Sequence, residues 1–487
     1  MFEDASPGSI LFLILALGLA LGFEFVNGFH DTANAVATVI YTHTLRPNAA
    51  VVWSGVWNLL GVLSSGGAVA FGVLALLPVE LILNVGSAAG FAMVFSLLLS
   101  AIIWNLGTWY FGLPASSSHT LIGSIMGVGL ANAMLKAGSR FGDGVSWGKA
   151  REAGVSLLSS PLVGCVAAAL LLLLMKHLVK RAELYEDPKP GHPPPTWIRG
   201  LLVLTCTGVS FAHGSNDGQK GMGLILLILI GILPGTYALN LQTDRASLQQ
   251  IVRSADAAAP VLEAMAAGPR TSGAAPHEEI SSFLKNKRPP DARTYQALSQ
   301  LATEIGGTLR GKSSIGQLDK PMRGKLRSTI YLMTEGIARL GGKDAVMPEL
   351  ERFREQLNPL TKYIPFWVKV AVALALGLGT MIGWERVVIT VGEKIGKSHL
   401  TYAQGGASEL VAATTIAAAD MAGLPVSTTH VLSSAVAGTM VANGSGLQMA
   451  TVRNLALAWL LTMPVCVFLG ALLFALGLNI VVGLGLR

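Results

Sequence analysis

The chain has 487 residues, of which 52% are hydrophobic and only 13% are charged, and its mean hydropathy is +0.56. Soluble domains carry roughly 25% charged residues, so this composition excludes an ordinary soluble protein and favours a protein of the lipid bilayer. The net charge of +7 does not indicate nucleic acid as a partner, because 18 of the 35 Lys and Arg residues lie in one window, 242–362, together with 13 of the 28 acidic residues. Cationic loops beside a membrane explain this distribution.

Long apolar stretches predict helices that cross or enter the membrane, since a crossing needs about 20 apolar residues. The first stretch lacks the basic start of a signal peptide and is interpreted as a retained helix. Barrel strands would instead give short alternating segments. The ten stretches are 9–40, 49–77, 90–111, 119–135, 153–175, 200–235, 364–385, 402–421, 430–444 and 452–482.

Four of these stretches have unusual lengths. Residues 9–40 and 200–235 exceed 30 residues and contain a Gly-rich polar cluster, which predicts a broken helix in each. Residues 119–135 and 430–444 are short and follow a Pro–Ser–Thr cluster. With the preceding helices, they predict two re-entrant hairpins.

The sequence repeats itself in two places. Residues 25–31 (FVNGFHD) align with 211–217 (FAHGSND), sharing Phe, Gly and Asp at three-residue intervals. Residues 112–119 (GLPASSSH) align with 423–430 (GLPVSTTH), keeping Gly-Leu-Pro, three hydroxyl residues and His. The order of motifs predicts an all-α polytopic membrane protein made of two inverted-topology repeats, with broken helices, two re-entrant helical hairpins and a small helical soluble insert.

A basic linker separates the halves, and the positive-inside rule places it in the cytoplasm. Counting crossings from it puts both termini and the insert in the periplasm. The predicted domains are 1–175 (first repeat), 176–199 (linker), 200–241 (second repeat, first part), 242–362 (soluble insert) and 363–487 (second repeat, remainder).

The hairpin tips, predicted at 114–118 and 425–429, each offer three consecutive hydroxyls before a helix start. Such hydroxyls cap the free N–H groups of the helix, and a helix N-terminus also binds phosphate. Two matched tips facing each other would form a cage for a tetrahedral oxyanion.

Asp31 and Asp217 are predicted at membrane depth, where ionisable groups are costly and usually functional. With Asn34 and Asn216 they supply hard oxygen ligands for Na⁺ or a divalent metal, and a carboxylate can also carry a proton. A structural ion pair between Asp217 and Lys220 is the alternative.

Four of the nine histidines, His30, His119, His213 and His430, lie inside the motifs, and His titrates near neutral pH. Any single one is more often structural. The candidates for binding the coupling ion are His30, Asp31, Asp217, Lys220, His119, His430, Glu24 and Glu409.

The paired motifs resemble those of the inorganic phosphate transporter family, which includes low-affinity bacterial phosphate permeases and animal sodium–phosphate symporters. The family motif Gly-Ala-Asn-Asp-Val-Ala-Asn-Ala corresponds to 28–35 (GFHDTANA) and 214–221 (GSNDGQKG). The resemblance covers about three quarters of the chain. The signature segments are 22–40, 104–130, 209–224 and 423–441.

His30 and Gln219-Lys220 depart from the family motif. These departures and the insert look like the bacterial permeases, which couple to protons and accept phosphate as a neutral metal complex. The resemblance thus implies a symporter that imports metal–phosphate with protons across the bacterial inner membrane, without a cofactor. The metal, Mg²⁺ or another divalent ion, would contact Asp31 and Asp217. A sodium-coupled phosphate symporter is the alternative, and a homodimer is left open.

The resemblance assigns the phosphate site to the Asp and Asn residues of the motifs and the hydroxyls of the tips. The expected substrate-binding residues are Asp31, Asn34, Ser116, Ser117, Ser118, Asn216, Asp217, Ser427, Thr428 and Thr429.

Two other functions are weighed. A membrane phosphatase would use adjacent Ser118 and His119 on a re-entrant segment, and a simple anion channel would need no coupling. The doubled symmetric motif favours alternating access over an asymmetric reaction, and buried carboxylates favour coupling over a channel.

Overall fold

The computed structural model of the chain describes residues 7–76, 87–135, 142, 144–189, 191–266, 275–286, 288–340 and 348–483. These residues form helices joined by short connections, which confirms the all-α prediction. The helices are α1 (Pro7–Asp31), α2 (Ala33–Tyr41), α3 (Pro47–Ser64), α4 (Ala68–Leu74), α5 (Ala88–Tyr110), α6 (Ser117–Leu135), α7 (Trp147–Leu178), α8 (Thr196–Ile232), α9 (Pro234–Tyr237), α10 (Arg245–Met265), α11 (Pro276–Asn286), α12 (Ala292–Leu309), α13 (Lys320–Leu340), α14 (Pro348–Thr361), α15 (Phe366–Thr380), α16 (Glu385–Glu393), α17 (Tyr402–Met421), α18 (Thr428–Asn443) and α19 (Met449–Gly483).

The chain divides into two compact units. The membrane unit comprises 14–78, 91–225 and 364–487, and the appendage unit comprises 1–13, 79–90 and 226–363. Within the described residues, five helices are long and apolar enough to cross a membrane, or up to seven spans if two bent helix pairs are each counted as one. The five are Pro7–Tyr41, Ala89–Tyr110, Ser117–Leu135, Ala150–Leu178 and Met449–Val481.

The two motif helices differ in continuity. In the first, α1 ends at Asp31 and α2 begins at Ala33, so the predicted break is a one-residue interruption at Thr32, whose backbone stays helical (φ −52°, ψ −38°), and the two helices form one candidate span, Pro7–Tyr41. The second prediction was wrong at the motif: α8 runs through it without interruption and breaks only at Leu233, before Pro234. Its backbone N–H and C=O groups form the hydrogen bonds of the helix. The second motif can therefore bind an ion only through its side chains. At 37 residues it is about 55 Å long, well beyond the roughly 30 Å hydrocarbon core.

The two hairpins have the same local structure. Gly112 and Gly423 end the descending helices α5 and α17 in the left-handed conformation, with φ of 65° and 66°. The next N–H groups, those of Leu113 and Leu424, return to carbonyls five residues earlier, at 2.9 Å in both cases. Glycine at this position closes a helix end without a Cβ penalty. The matching sequences therefore form matching turns and deliver the hydroxyl residues to the starts of α6 and α18.

Matched glycines also let the repeats pack closely. A Cβ on Gly28 of the first motif would overlap the Leu376 carbonyl of α15, and one on Gly214 of the second would overlap the Asn58 backbone of α3. Likewise, Gly127 of α6 lies against α19, and Gly438 of α18 lies against α7. Small residues allow such close backbone approach in membrane helices. Each hairpin thus packs against the last helix of the other repeat.

Helices α10 to α14 have a hydrophobic core of their own within the appendage unit, built around Leu298, Ile330 and Phe353. The ends of this segment meet: the Asn240 N–H donates to the Leu360 carbonyl at 2.8 Å. The described residues of the predicted soluble insert, 242–362, belong to this unit.

Candidate functional site

The two hairpin tips and the two motif aspartates converge in the interior of the membrane unit. Thr429 Oγ1 donates to Asp31 Oδ1 at 2.6 Å. Ser117 Oγ lies 3.2 Å from both Asp31 Oδ2 and Asp217 Oδ2, so its single proton can be shared between them. All four side chains are at most 2% exposed. One residue from each motif and one from each tip therefore meet at a single point.

The one-residue interruption after Asp31 falls at Thr32. Its Oγ1 donates to the Gly28 carbonyl at 2.6 Å and is also 2.9 Å from the Thr380 carbonyl. The Thr32 carbonyl accepts the first N–H groups of α2. Asp31 is therefore the last residue before this interruption, and the backbone of Thr32 stays helical.

His213 completes a cluster with the two aspartates. Its Nε2 lies 3.7 Å from Asp31 Oδ2 and 3.6 Å from Asp217 Oδ2. Ligand atoms of Asp31, His213 and Asp217 all lie within 4.8 Å of one another. Two carboxylates and one imidazole are a suitable donor set for a divalent metal ion. We call these three residues the acid cluster.

Asn58 fixes the orientation of the His213 ring. Its Oδ1 lies 2.7 Å from His213 Nδ1, while its Nδ2 lies 3.2 Å from Thr380 Oγ1. Because Thr380 Oγ1 donates to the Leu376 carbonyl, it accepts from Asn58 Nδ2, and Asn58 Oδ1 must face the imidazole. His213 Nδ1 is then the donor, which leaves Nε2 to bind a proton or a metal ion.

Sequence reasoning noted His213 but did not include it among the expected site residues. It stands where the first motif copy has Asn27, so the repeat alignment gave no reason to prefer it over the other motif histidines. Asn58 was missed entirely, since it belongs to neither motif. A lone Asn in an apolar stretch was the only available signal.

Two coupling-ion candidates also contact the acid cluster. His30 Nδ1 lies 3.2 Å from Asp31 Oδ1, and its Nε2 lies 3.1 Å from Thr108 Oγ1. Lys220 Nζ lies 2.8 Å from Asp217 Oδ1 and is 1% exposed. The ion pair weighed as an alternative role for Asp217 is therefore present, alongside its contact with the first tip.

The six hydroxyl residues of the two tips have different hydrogen-bond partners. Ser116 and Ser427 accept from the N–H groups of His119 and His430, so these two are helix caps. Ser118 donates to the Val426 carbonyl at 2.7 Å and ties the two tips together. Ser117 and Thr429 face the aspartates, and Thr428 is buried at 2% exposure.

Asn216, His119 and His430 make other contacts. Asn216 is buried and its Nδ2 is 3.4 Å from the Leu424 carbonyl. His119 and His430 pack on each other, with ring centroids 4.7 Å apart, and His430 stacks on Trp459. The side chain of Asn34 lies outside the described part of the structure.

Glu409 belongs to a different region. It accepts hydrogen bonds from Thr38 and Thr205, the latter at 2.5 Å. Thr205 precedes Asp217 by 12 residues on α8, which corresponds to about 18 Å along the helix. The structure therefore does not bring Glu409 to the acid cluster, although sequence reasoning grouped them.

The site can attract ions of both signs. The acid cluster is suited to a cation. The starts of α6 and α18 offer hydroxyls and the positive ends of two helix dipoles to an anion. A cation and an oxyanion bound together would satisfy both halves of the site.

Comparison with known proteins identifies the family of the chain. Residues 27–470 match the family model described as the phosphate transporter family. The low-affinity inorganic phosphate transporters PitA and PitB of Escherichia coli K12 are 44% and 42% identical to the chain, covering 96% and 97% of it and 97% of each relative. A solved structure described as the sodium-dependent phosphate transporter has a TM-score of 0.52 at 19% identity, covering 96% of this chain and 98% of that one, and shows the shared fold.

The named relatives are transporters, which sets aside the membrane phosphatase weighed above. The helices, the doubled motifs and the full-length match lead to one assignment: the chain is a membrane protein that belongs to the phosphate transporter family.

Proposed function

We propose that this protein imports inorganic phosphate as a neutral complex with a divalent metal, driven by protons. The observation that carries the proposal is the meeting of both hairpin tips at Asp31, through Ser117 and Thr429. A site built from both repeats is what alternating access requires, because movement of one repeat against the other opens it to each side in turn.

The anion half of the site would consist of the tips. Helix N-termini bind phosphate through free N–H groups and the helix dipole. In α6 and α18 they are joined by the buried hydroxyls of Ser117, Thr428 and Thr429. The phosphate oxygens would replace the carboxylates as partners of these hydroxyls.

The cation half would be the acid cluster. Bare phosphate would be repelled by Asp31 and Asp217, which lie within hydrogen-bond distance of Ser117. A divalent metal bound by both carboxylates and His213 Nε2 removes this conflict, since it can bridge the acids and the phosphate. In this account the metal is cargo, not a resident cofactor.

Charge also favours a metal–phosphate substrate. Moving HPO₄²⁻ into a cell with a negative interior costs about 2.3 kcal/mol per charge per 100 mV. A divalent metal cancels the two charges, so a co-transported proton adds a net driving force. The imidazoles of His30 and His213 contact the aspartates and are the proposed proton carriers.

Sodium coupling is the second candidate, because carboxylates and amides also bind Na⁺. The ammonium of Lys220 at Asp217 argues against it, since it places a fixed positive charge at one of the two acids. We further propose a location in the bacterial inner membrane, with the linker 176–199 in the cytoplasm and both termini and the insert in the periplasm.

Uptake of radioactive phosphate into proteoliposomes tests the proposal. With an inward proton gradient and Mg²⁺ present, phosphate should accumulate above equilibrium. Removing Mg²⁺ or collapsing the proton gradient should abolish accumulation, while replacing Na⁺ with choline should not. Accumulation driven by a sodium gradient at equal pH on both sides would refute proton coupling. Movement only to equilibrium would indicate a channel.

A further inference from the structure

A second group of buried polar side chains lies beside the acid cluster, between α1 and α8. Glu24 and Asn27 come from α1 and are one turn apart, and Lys220 comes from α8. All of their polar atoms are buried and none has a well-formed hydrogen bond among the described residues; Glu24 interacts with the Asn27 side chain and the Gly221 backbone, and Lys220 Nζ is held by its ion pair with Asp217. Buried polar atoms nearly always find partners, so a group of this kind marks a place built for an ion or water.

The position of Glu24 depends on a glycine. A Cβ on Gly221 would overlap the Glu24 carboxyl group, so the absence of a side chain there lets Glu24 reach the backbone of α8. Glu24 interacts electrostatically with both Asp217 and Lys220. The Lys220 ammonium is thus 2.8 Å from Asp217 Oδ1 and also interacts electrostatically with the Glu24 carboxyl group.

The geometry points to Lys220 as a specificity-determining residue: its ammonium acts as a resident monovalent cation in a site formed by Glu24, Asn27 and Asp217. This inference rests on the proposed metal–phosphate transport. With the site already filled by the protein's own charge, no Na⁺ or other monovalent metal ion is taken from solution. The divalent ion at the acid cluster and the driving protons then travel with phosphate.

The chemistry of the site fits this role. An ammonium is a compact point charge, equal in sign and size of charge to Na⁺. Carboxylate and amide oxygens are hard ligands of the kind that bind small cations. A buried ammonium is costly unless it is paired, and Asp217 supplies that pair. Removing the ammonium leaves two carboxyl groups and one amide without a cation.

We therefore expect Lys220→Asn and Lys220→Ala to create a site for a monovalent ion. For each purified protein, the unfolding temperature is measured in detergent while NaCl or LiCl replaces choline chloride at constant ionic strength. Both variants should be stabilised progressively by Na⁺ or Li⁺. Wild type should not respond. The same replacement should raise phosphate uptake by the variants several-fold, and uptake by wild type should stay unchanged.

Two controls separate this site from general effects. Lys369 is another lysine of the membrane unit, which donates to the Ser65 carbonyl, and Lys369→Asn should show no response to Na⁺. The double variant Glu24→Gln/Lys220→Asn removes one carboxylate and should lose the response of the single variant. Both controls test whether the two carboxyl groups hold the ion.

The inference is overturned if both Lys220 variants are indifferent to Na⁺ and Li⁺, if wild type responds equally, or if the double variant keeps the full response. The thermal measurement needs no phosphate, metal or transport. It can therefore fail while proton-coupled metal–phosphate uptake by wild type is confirmed, and it can succeed while that uptake is refuted.

Discussion

Asp31 and Asp217 occupy matching positions in the two repeats but have different surroundings. Asp31 directly precedes the one-residue interruption at Thr32 and is contacted by Thr429, Ser117 and His30, none of which carries a permanent charge. Asp217 lies inside a continuous helix and is paired with the permanent charge of Lys220. The comparison teaches that a symmetric fold can hold an asymmetric charge distribution. Exchangeable ions are expected mainly on the Asp31 side.

The largest expected effect comes from neutralising the two aspartates. Asp31→Asn and Asp217→Asn should each abolish phosphate uptake, because each removes a carboxylate from the metal site. Only Asp217→Asn should also lower the free energy of unfolding, by about 3–5 kcal/mol, since it removes the carboxylate that forms the ion pair with the buried Lys220. The double variant Asp217→Asn/Lys220→Met should regain stability without regaining transport. Normal uptake by both single variants would remove the aspartates from the mechanism.

The second effect concerns the residue that positions His213. Asn58→Leu removes the acceptor of His213 Nδ1 and should raise the Mg²⁺ concentration needed for half-maximal uptake by about 10- to 100-fold, as loss of such partners does in metal sites. Asn58→Asp, which keeps the acceptor, should restore much of the affinity. An unchanged Mg²⁺ requirement in Asn58→Leu would show that His213 does not bind the metal.

The third effect compares the two tips. Ser117→Ala should raise the phosphate concentration for half-maximal uptake roughly tenfold to hundredfold, because a lost hydrogen bond to a charged group costs about 1.5–3 kcal/mol. Thr428→Ala should raise the same concentration by a smaller factor. Ser117 lies at the centre of the site, in contact with both aspartates, and is therefore expected to contribute more to phosphate binding. Equal values for both variants and wild type, at normal expression, would place the phosphate elsewhere.

The smallest effect is expected far from the acid cluster in sequence. Replacing residues 245–358 with a short flexible linker should leave uptake close to wild type. The segment has its own core, and Asn240 and Leu360 at its two ends are joined by a hydrogen bond that a short linker can preserve. Loss of uptake by a variant that is correctly inserted in the membrane would show that the appendage takes part in transport.

Much of this fold follows from local sequence. Hydropathy and the doubled motifs predicted the helices, and Gly112 and Gly423 occur at the turn before each tip as the repeat required. The helix continuity of α8 was not predictable from its polar cluster. In the first copy the Thr32 hydroxyl bonds to the Gly28 carbonyl at the interruption, whereas the second copy has Gly218 at that position and no hydroxyl.

The site was predicted less completely than the fold. Ser117, Thr429 and the two aspartates meet as the repeat suggested. Which hydroxyls cap the helices depends on the exact first residues of α6 and α18, which the sequence does not predict to the nearest residue. Asn58 and Glu24 come from outside the repeated motifs, and only helix packing brings them to α8. The prediction that Glu409 belongs to the same group as Asp217 was wrong. Glu409 bonds to Thr205, which lies about 18 Å from Asp217 along α8.

Linkage between metal and phosphate binding tests the central claim most directly, namely that both repeats jointly bind one metal–phosphate complex. Binding of radioactive Mn²⁺ to the purified protein is measured across phosphate concentrations, and binding of radioactive phosphate across Mn²⁺ concentrations. We predict that each ligand strengthens the other by the same factor, as linkage requires, and that Asp31→Asn abolishes the coupling. Mn²⁺ binding that is indifferent to phosphate in the wild-type protein would contradict the account.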